Sequence, residues 1–336
     1  MEISAPGVVK LFGEHAVVYG KTAVAAAVEM RAYVRMIKKD NEKVKFSMPD
    51  LNFSSEFSYD EAEDAYNSYK ESEIGKFAGR YERLKLPYMV IFGRMAELSG
   101  KRPGLEINLS SKIPFQRGFA SSGACSVALA KGAARAMNFE LDDRTMIDVS
   151  RDGERVMHIN RNAGGIDVST SFYGGVVSYK AGDVSTHKKA AMGVELVIVD
   201  TGPKKSTAET VGHVSELYKT ERRNTEMILG QIDECSMEGL KALEEGDMKR
   251  AGEIMLRNHD MLRMLGVSSD GLDRAVRESK NHGAYGMKLS GGGGGGIAIA
   301  LPYDRNTLIE HMKSIGFEAY STRIAKEGVV VADRQE

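Results

Sequence analysis

The chain contains only two cysteines, Cys125 and Cys235, among its 336 residues. Two thiols are too few for a disulfide framework or a thiolate zinc site, so we expect a reducing, cytoplasmic setting. The 46 basic and 47 acidic residues nearly cancel, giving a net charge of −1. A nucleic-acid-binding surface needs a basic excess or stripe, so we expect no nucleic-acid partner. A small anionic ligand is not excluded, because it needs only a local site.

Long apolar runs are also missing. No stretch approaches the roughly 18 uncharged apolar residues of a membrane span, and the N-terminal residues lack the hydrophobic core of a signal peptide. We therefore expect no membrane partner. The chain is long for one hydrophobic core, which favours two domains. A polar segment, "KAGDVSTHKKAAMG", suggests a boundary that divides the chain into residues 1–185 and 186–336.

Apolar strand-like and helical segments alternate irregularly along the chain, which predicts an α+β fold with mixed sheets and helices packed on them. Residues 56–73 contain seven acidic residues and one lysine. We interpret this acidic segment as a solvated helix, in preference to a mobile lid over a site.

The segment "KIPFQRGFASSGACSVALA" (112–130) predicts a strand, a glycine- and serine-containing loop and then a helix. Unpaired N–H groups and a positive dipole at a helix start favour phosphate binding. Ser121 and Ser122 could contact a phosphate or a magnesium ion, or one of them could simply cap the helix. The loop is not a Walker motif. The "GKT" at Gly20–Thr22 is not one either, because His15 stands where that pattern requires glycine.

Two further segments carry charged groups in unusual places. Glu154 and His158 lie four residues apart, on one face of a predicted helix. Asp167 is the only charged residue in the run "AGGIDVSTSFYGG", where a structural hydrogen bond is the ordinary explanation for a carboxylate. Lys10 lies inside the apolar strand "VVKLF", which is costly unless its ammonium reaches solvent or a carboxylate.

Six consecutive glycines, Gly291–Gly296, lie between the apolar runs "YGMKL" and "IAIAL". Flexible linkers normally have polar flanks, so we interpret this run as a tight turn between two strands. Glycine is needed where φ is positive or where another group approaches the backbone closely.

Together these segments resemble the motifs of the GHMP small-molecule kinases, and most closely the branch whose acceptor is mevalonate. "APGVVKLFGEHAVVYG" is similar to the first motif of that family, "PFQRGFASSGACS" to its phosphate loop and "KLSGGGGGGIAIAL" to its third motif. "ERVMH", followed by "GGIDVSTSFYGG", resembles a further segment of the same branch. The resemblance covers nearly the whole chain. It implies a two-domain kinase fold with the active site in the cleft between the domains.

The resemblance also implies roles for individual residues, with ATP and Mg²⁺ as cofactors. Asp167 would accept the proton of the acceptor hydroxyl, and Lys10 would hold that aspartate ionised. Ser122 and Glu154 would bind Mg²⁺. The residues that would contact ATP are Gly118, Phe119, Ala120, Ser121, Ser122 and Gly123 at the phosphates and Asp50 at the adenine. The residues that would line the acceptor site are Glu14, His15, Thr201 and Gly292.

Three departures from the family pattern leave the acceptor open. Ala120 stands where the phosphate loop normally has glycine, and Gly292 stands where the third motif normally has alanine. The segment between His158 and Asp167 is two residues longer and adds Arg161. The alternatives are a phosphomevalonate or sugar kinase, a decarboxylase of the mevalonate-diphosphate type, or a non-catalytic ATP-binding relative. The sequence does not distinguish a monomer from a homodimer.

Overall fold

The computed structural model describes residues 1–71, 84–114, 117–160, 163–191, 193–202 and 207–332. Phe115 and Gln116 of the predicted phosphate loop, Arg161 of the predicted insertion and the last two residues of the acidic segment lie outside these ranges. No helix in the described part of the chain is long and apolar enough to cross a membrane.

The first sheet has eight strands and is mainly antiparallel. Its strands are β1 (Glu2–Phe12), β2 (Ala23–Lys39), β3 (Lys43–Met48), β4 (Phe53–Ser58), β5 (Gly104–Ser111), β6 (Val176–Lys180), β7 (Asp183–Thr186) and β12 (Val330–Ala332). The main order is β12-β1-β2-β5-β3-β4, with β6 and β7 joined through β2, and only the β3–β5 pair is parallel. The β1–β2 register shifts between Lys10 and Phe12. Such a bulge changes the direction of nearby side chains.

The second sheet has four antiparallel strands in the order β11-β8-β10-β9. They are β8 (Glu195–Asp200), β9 (Ala284–Leu289), β10 (Ile297–Pro302) and β11 (Glu318–Arg323). Side chains alternate across β8: Leu196 and Ile198 join the larger apolar cluster, whereas Val197 and Val199 join a second cluster. Both faces of this sheet are therefore buried, as the period of two along a strand allows.

The described residues also form ten α-helices. They are α1 (Tyr59–Glu71), α2 (Leu86–Ser99), α3 (Ser121–Ala136), α4 (Asp143–His158), α5 (Gly165–Tyr173), α6 (Thr207–Thr220), α7 (Arg222–Glu245), α8 (Met248–Met264), α9 (Asp270–Ser279) and α10 (Arg305–Ser314). Helices α2 to α5 pack with one another and, through α3 and α5, on β1 and β2. Helices α8 and α9 cover β9, and α10 contacts β8 and β11. The predicted α+β class with mixed sheets is confirmed.

The predicted acidic helix needs a correction. Strand β4 continues to Ser58, and the helix α1 that follows is solvated on one face only. Its other face buries Tyr59, Ala62, Ala65, Tyr66 and Tyr69, and α1 packs against α2. The apolar residues at helical spacing among the acidic ones explain why this segment is part of the core.

The predicted domain division between residues 185 and 186 falls inside β7, the last strand of the first sheet before the chain enters the second sheet at β8. However, β12 returns to the first sheet and pairs with β1. The position of the boundary stays a prediction.

Candidate active site

Lys10 and Asp167 meet at the centre of the predicted site. The Lys10 Nζ donates to Asp167 Oδ1 at 2.6 Å, and both side chains are more than four-fifths buried. Lys10 comes from β1 beside the bulge, and Asp167 lies in the first turn of α5. A carboxylate is stabilised there by the helix dipole as well as by the ammonium. The buried ammonium of Lys10 and the buried carboxylate of Asp167 therefore neutralise each other, which accounts for both charges in their apolar surroundings.

The predicted phosphate loop leads directly into α3, which begins at Ser121. The residue in the N-cap position is Ala120, which makes no side-chain capping bond, so the serine-cap alternative is wrong. Ala120 has φ 49°, a left-handed conformation that glycine adopts without cost. The loop is anchored because Val8 N–H on β1 donates to the Phe119 carbonyl at 2.8 Å.

Because Gly123 has no side chain, the start of α3 lies close to Asp167. A Cβ at Gly123 would lie 3.6 Å from the Cβ of Asp167. The first N–H groups of a helix have no partner within the helix, so the start of α3 can bind an anion next to the Lys10–Asp167 pair. This is the arrangement that phosphoryl transfer requires.

Ser122 and Glu154 also come together, although they are separated by 32 positions. Ser122 Oγ donates to Glu154 Oε1 at 3.1 Å. Glu154 is 2% exposed, and its Oε2 is buried without a hydrogen-bond partner. A buried carboxylate oxygen without a partner is costly unless a cation binds there. Because Mg²⁺ prefers hydroxyl and carboxylate oxygens, the two residues fit a magnesium site.

His158 also contacts Ser122 and Glu154. Its Nε2 is 3.0 Å from Glu154 Oε1 and 3.3 Å from Ser122 Oγ. The hydrogen bond to Glu154 raises the pKa of His158. The sequence placed Glu154 and His158 on one face of a helix, and α4 does so.

Glu14 forms a buried ion pair with Lys288, a residue that the sequence interpretation did not select. Lys288 Nζ donates to Glu14 Oε1 and also, at 2.6 Å, to the Leu289 carbonyl. Both side chains are essentially inaccessible, and Glu14 Oε2 has no partner. The signal for Lys288 was present in the sequence, since it lies in the apolar run "YGMKL" as Lys10 does in "VVKLF".

His15 connects the first motif to the glycine turn. Its Nε2 lies 3.0 Å from the Gly292 carbonyl, and burial lowers the pKa of His15 to about 4. The ring is therefore neutral near pH 7. Its Nε2 must carry the hydrogen that the carbonyl accepts, which leaves Nδ1 as an acceptor.

The glycine run forms the turn between β9 and β10, as predicted. Five of the six glycines have positive φ, between 71° and 115°. A Cβ on Gly293 would lie 2.0 Å from the Val267 carbonyl oxygen, and a Cβ on Gly118 would lie 3.4 Å from that of Ser290. The turn therefore packs against the predicted phosphate loop. Lys10 N–H also donates to Ser290 Oγ at 2.9 Å, which joins the turn to β1.

Gly292 is the one glycine of the run with an ordinary φ. A Cβ there would lie 3.1–3.2 Å from Thr207 and Thr210 on α6. The absence of the methyl group thus gives room to these two threonines.

The hydrogen bonds of Thr201 and Asp50 are formed with residues other than Lys10 and Asp167. Thr201 Oγ1 donates to the Gly296 carbonyl at 2.8 Å, so its hydroxyl holds the glycine turn. Asp50 Oδ2 accepts from Ser111 N–H at 2.8 Å at the end of β5. Contact of Thr201 with the acceptor and of Asp50 with adenine stay predictions.

A second cluster of metal-ligating types lies in the other half of the chain, formed by Glu278, His282 and His311. The two imidazole rings stack with centroids 3.4 Å apart and an interplanar angle of 4°. A metal binds an imidazole nitrogen in the ring plane at about 2.0–2.1 Å, so two stacked parallel rings cannot bind one ion. We assign no ion to this cluster.

Comparison with known proteins agrees with this geometry. The chain matches the family described as GHMP kinases N terminal domain over residues 87–175 and that described as GHMP kinases C terminal over residues 240–315. Mevalonate kinase of Pyrococcus horikoshii is 33% identical over 98% of this chain and 97% of its own length. The chain therefore belongs to the GHMP kinase family, and it is an ATP-dependent kinase that acts on an alcohol group of a small molecule.

Other relatives carry the same name. Mevalonate kinase of Thermococcus sibiricus is 32% identical over 98% of both chains. The crystal structure of Methanococcus jannaschii mevalonate kinase has a TM-score of 0.77 and 25% identity, covering 96% of this chain and 98% of that one. The family resemblance and the two-domain kinase fold expected from the sequence are confirmed.

Proposed function

We propose that this kinase transfers the γ-phosphoryl group of ATP to the 5-hydroxyl of (R)-mevalonate, with Mg²⁺, in cytoplasmic synthesis of isoprenoid precursors. The observation that carries the proposal is the 2.6 Å Lys10–Asp167 pair beside the start of α3. The relatives named mevalonate kinase, matched over nearly their whole length, support the choice of acceptor. Residues 1–185 would form the ATP-binding domain and residues 186–336 the second domain.

Asp167 is the proposed acceptor of the hydroxyl proton. As that proton moves to Asp167, the hydroxyl oxygen forms a bond to the γ-phosphorus, and the bond from this phosphorus to the oxygen shared with the β-phosphate breaks. Lys10 stabilises the negative charge that develops on the attacking oxygen. Such reactions depend mainly on positioning and charge neutralisation, which this pair and the start of α3 provide.

The phosphates would lie along the residues that open α3. The N–H groups of Ser121, Ser122 and Gly123 are placed for this, since they belong to the first turn. Ser122 and Glu154 would hold Mg²⁺, which when bound neutralises phosphate charge. Ala120 and Phe119 fix the path of the loop into the helix.

The acceptor would bind near Glu14, His15 and Gly292. Glu14 Oε2 lacks a partner, and neutral His15 has an acceptor at Nδ1. Two acceptors of this kind suit the hydroxyl groups of mevalonate, whereas its carboxylate would need a cation from elsewhere. Because both acceptors belong to buried residues, a ligand that donates a hydrogen bond to each of them would be favoured.

The test is ADP release by the purified protein with Mg²⁺ and a panel of acceptors: mevalonate, phosphomevalonate, galactose and homoserine. We expect turnover with mevalonate, and ³¹P NMR of the product should place the phosphate on the 5-oxygen. Asp167→Asn should abolish turnover while ATP still binds. Turnover of another acceptor without mevalonate would reject the substrate, and ATP binding without any turnover would favour the non-catalytic alternative.

A further inference from the structure

Ser122 Oγ, Glu154 Oε1 and His158 Nε2 form a nearly equilateral triangle. Its sides are 3.1 Å between Ser122 and Glu154, 3.0 Å between Glu154 and His158, and 3.3 Å between Ser122 and His158. Two of the atoms come from one face of α4 and the third from the first turn of α3. The triangle is thus held by two helices that pack against each other.

Hydrogen bonding accounts for only part of this arrangement. The hydroxyl of Ser122 has one hydrogen and Nε2 of His158 has at most one, whereas all three sides of the triangle are within hydrogen-bond distance. Two hydrogens can serve at most two of the three sides as ordinary hydrogen bonds, so one side of the triangle has none. In addition, Glu154 Oε2 is buried without a partner. The cluster is therefore compact but incompletely satisfied.

The triangle has the dimensions of one face of an octahedral metal site. Ligands that lie about 2.1 Å from a small divalent ion and at right angles to each other are about 3.0 Å apart. All three sides are close to that separation. His158 Nε2 is consequently placed as well as the two oxygens are for direct ligation.

We propose that His158 is a third protein ligand of the divalent ion, which binds through Nε2. This proposal rests on the proposed function, because it takes the ion to lie at Ser122 and Glu154. Carboxylate and hydroxyl oxygens suit Mg²⁺ and Mn²⁺, whereas imidazole suits transition ions such as Co²⁺ more than Mg²⁺. The site with one imidazole should therefore bind Co²⁺ in preference to Mg²⁺, and Mn²⁺ should bind there through the same three ligands.

The direct test is pulsed EPR of Mn²⁺ bound to the protein together with a non-hydrolysable ATP analogue. Protein labelled with ¹⁵N only at histidine distinguishes a histidine ligand from nitrogen of the nucleotide. We expect a ¹⁵N coupling in labelled protein that is replaced by a ¹⁴N coupling in unlabelled protein. Bound Mn²⁺ without the ¹⁵N coupling would overturn the proposal, as would failure of Mn²⁺ to bind.

Affinity measurements give a second readout. His158→Ala should weaken Co²⁺ binding at least tenfold, measured by the visible absorption of the bound ion, and should weaken Mg²⁺ binding less. His187→Ala is the matched control, since His187 also contacts a glutamate, Glu244, but it follows β7 and contacts none of the three atoms of the triangle in the structure. Equal losses for both metals in His158→Ala would contradict ligation.

The same preparations separate this inference from the proposed function. Mevalonate-dependent ADP release with Mg²⁺ measures the function without reference to His158 ligation. If turnover is normal and the ¹⁵N coupling is absent, only the inference fails. If turnover is absent while the coupling is present, the metal ligand is right and the proposed function fails.

Discussion

Lys288 Nζ donates to Glu14 Oε1 in an ion pair that is closed to solvent, with 0% and 1% of the two side chains exposed. The pair joins β9 of the second sheet to the residues that follow β1 of the first. Burial lowers the pKa of Lys288, and the Glu14 carboxylate opposes that effect. The pair therefore connects the two halves of the chain at the proposed acceptor site and fixes the orientation of Glu14.

Replacing Lys288 alone should be strongly destabilising. Lys288→Met leaves the Glu14 carboxylate buried without its cation, and removal of one partner of a buried pair typically costs about 3–5 kcal/mol. Urea unfolding of the purified variant measures this loss. The double variant Glu14→Leu/Lys288→Met should recover most of the stability, because apolar residues of similar volume often replace a buried pair at little cost. A double variant as unstable as the single one would show that the pair is not the cause.

Ala120→Gly should stabilise the protein. Ala120 has φ 49° and ψ 42° at the start of α3, a conformation that costs an alanine about 1–2 kcal/mol and a glycine almost nothing. After the greater entropy of glycine in the unfolded chain is subtracted, we expect a gain of about 1 kcal/mol. The control is Ala136→Gly at the other end of the same helix, which should destabilise by about 1 kcal/mol or more. Loss of stability in both variants would argue against strain at Ala120.

Much of this site could be predicted from the sequence because its residues stand out locally. A lysine in an apolar strand, an aspartate in an uncharged run and six glycines between strands each require a physical explanation, and Lys10, Asp167 and the β9–β10 turn supply it. The sequence could not show which residues would contact each other across long separations in the chain. The Glu14–Lys288 pair spans 274 positions, and the threonines beside Gly292 lie more than 80 positions earlier. Their meeting depends on how the two sheets pack, which no local pattern encodes.

The fold was predictable to a similar degree. The apolar pattern predicted the strand that contains Lys10 and the helix that carries Glu154 and His158, and these are β1 and α4. The prediction did not show that α1 is packed, because it considered only the charge of the segment. Five of the seven acidic residues lie on α1 together with the tyrosines and alanines of its buried face. Composition alone does not show on which face of a helix the charges lie.

Alanine substitutions at two adjacent glycines should have very different effects. A Cβ at Gly293 would lie 2.0 Å from a carbonyl oxygen at φ 77°, so Gly293→Ala must move the backbone. We expect a loss of more than about 2 kcal/mol, as for other strained or overpacked sites. Gly292→Ala meets only side chains of Thr207 and Thr210 at 3.1–3.2 Å, and its φ is ordinary, so the loss should be below about 1 kcal/mol. Thermal unfolding of both variants checks the order, and comparable losses would contradict it.

Stability should fall in mild acid because two histidines are buried in the neutral form. Burial lowers the pKa of both His15 and His259 to about 4. In the unfolded chain each ring has a pKa of about 6.5, so below that pH the unfolded state binds more protons and the folded state is disfavoured. The loss therefore begins as the pH falls through about 6.5 and is complete near 4, and at pH 5 each histidine contributes about 2 kcal/mol to it.

Urea unfolding at pH 7.5, 6 and 5 measures the slope of the free energy of unfolding against pH. His259→Gln removes one of the two buried neutral histidines and should make the loss of stability between pH 6.5 and 5 clearly less steep. An unchanged slope in His259→Gln would show that other groups control the acid sensitivity.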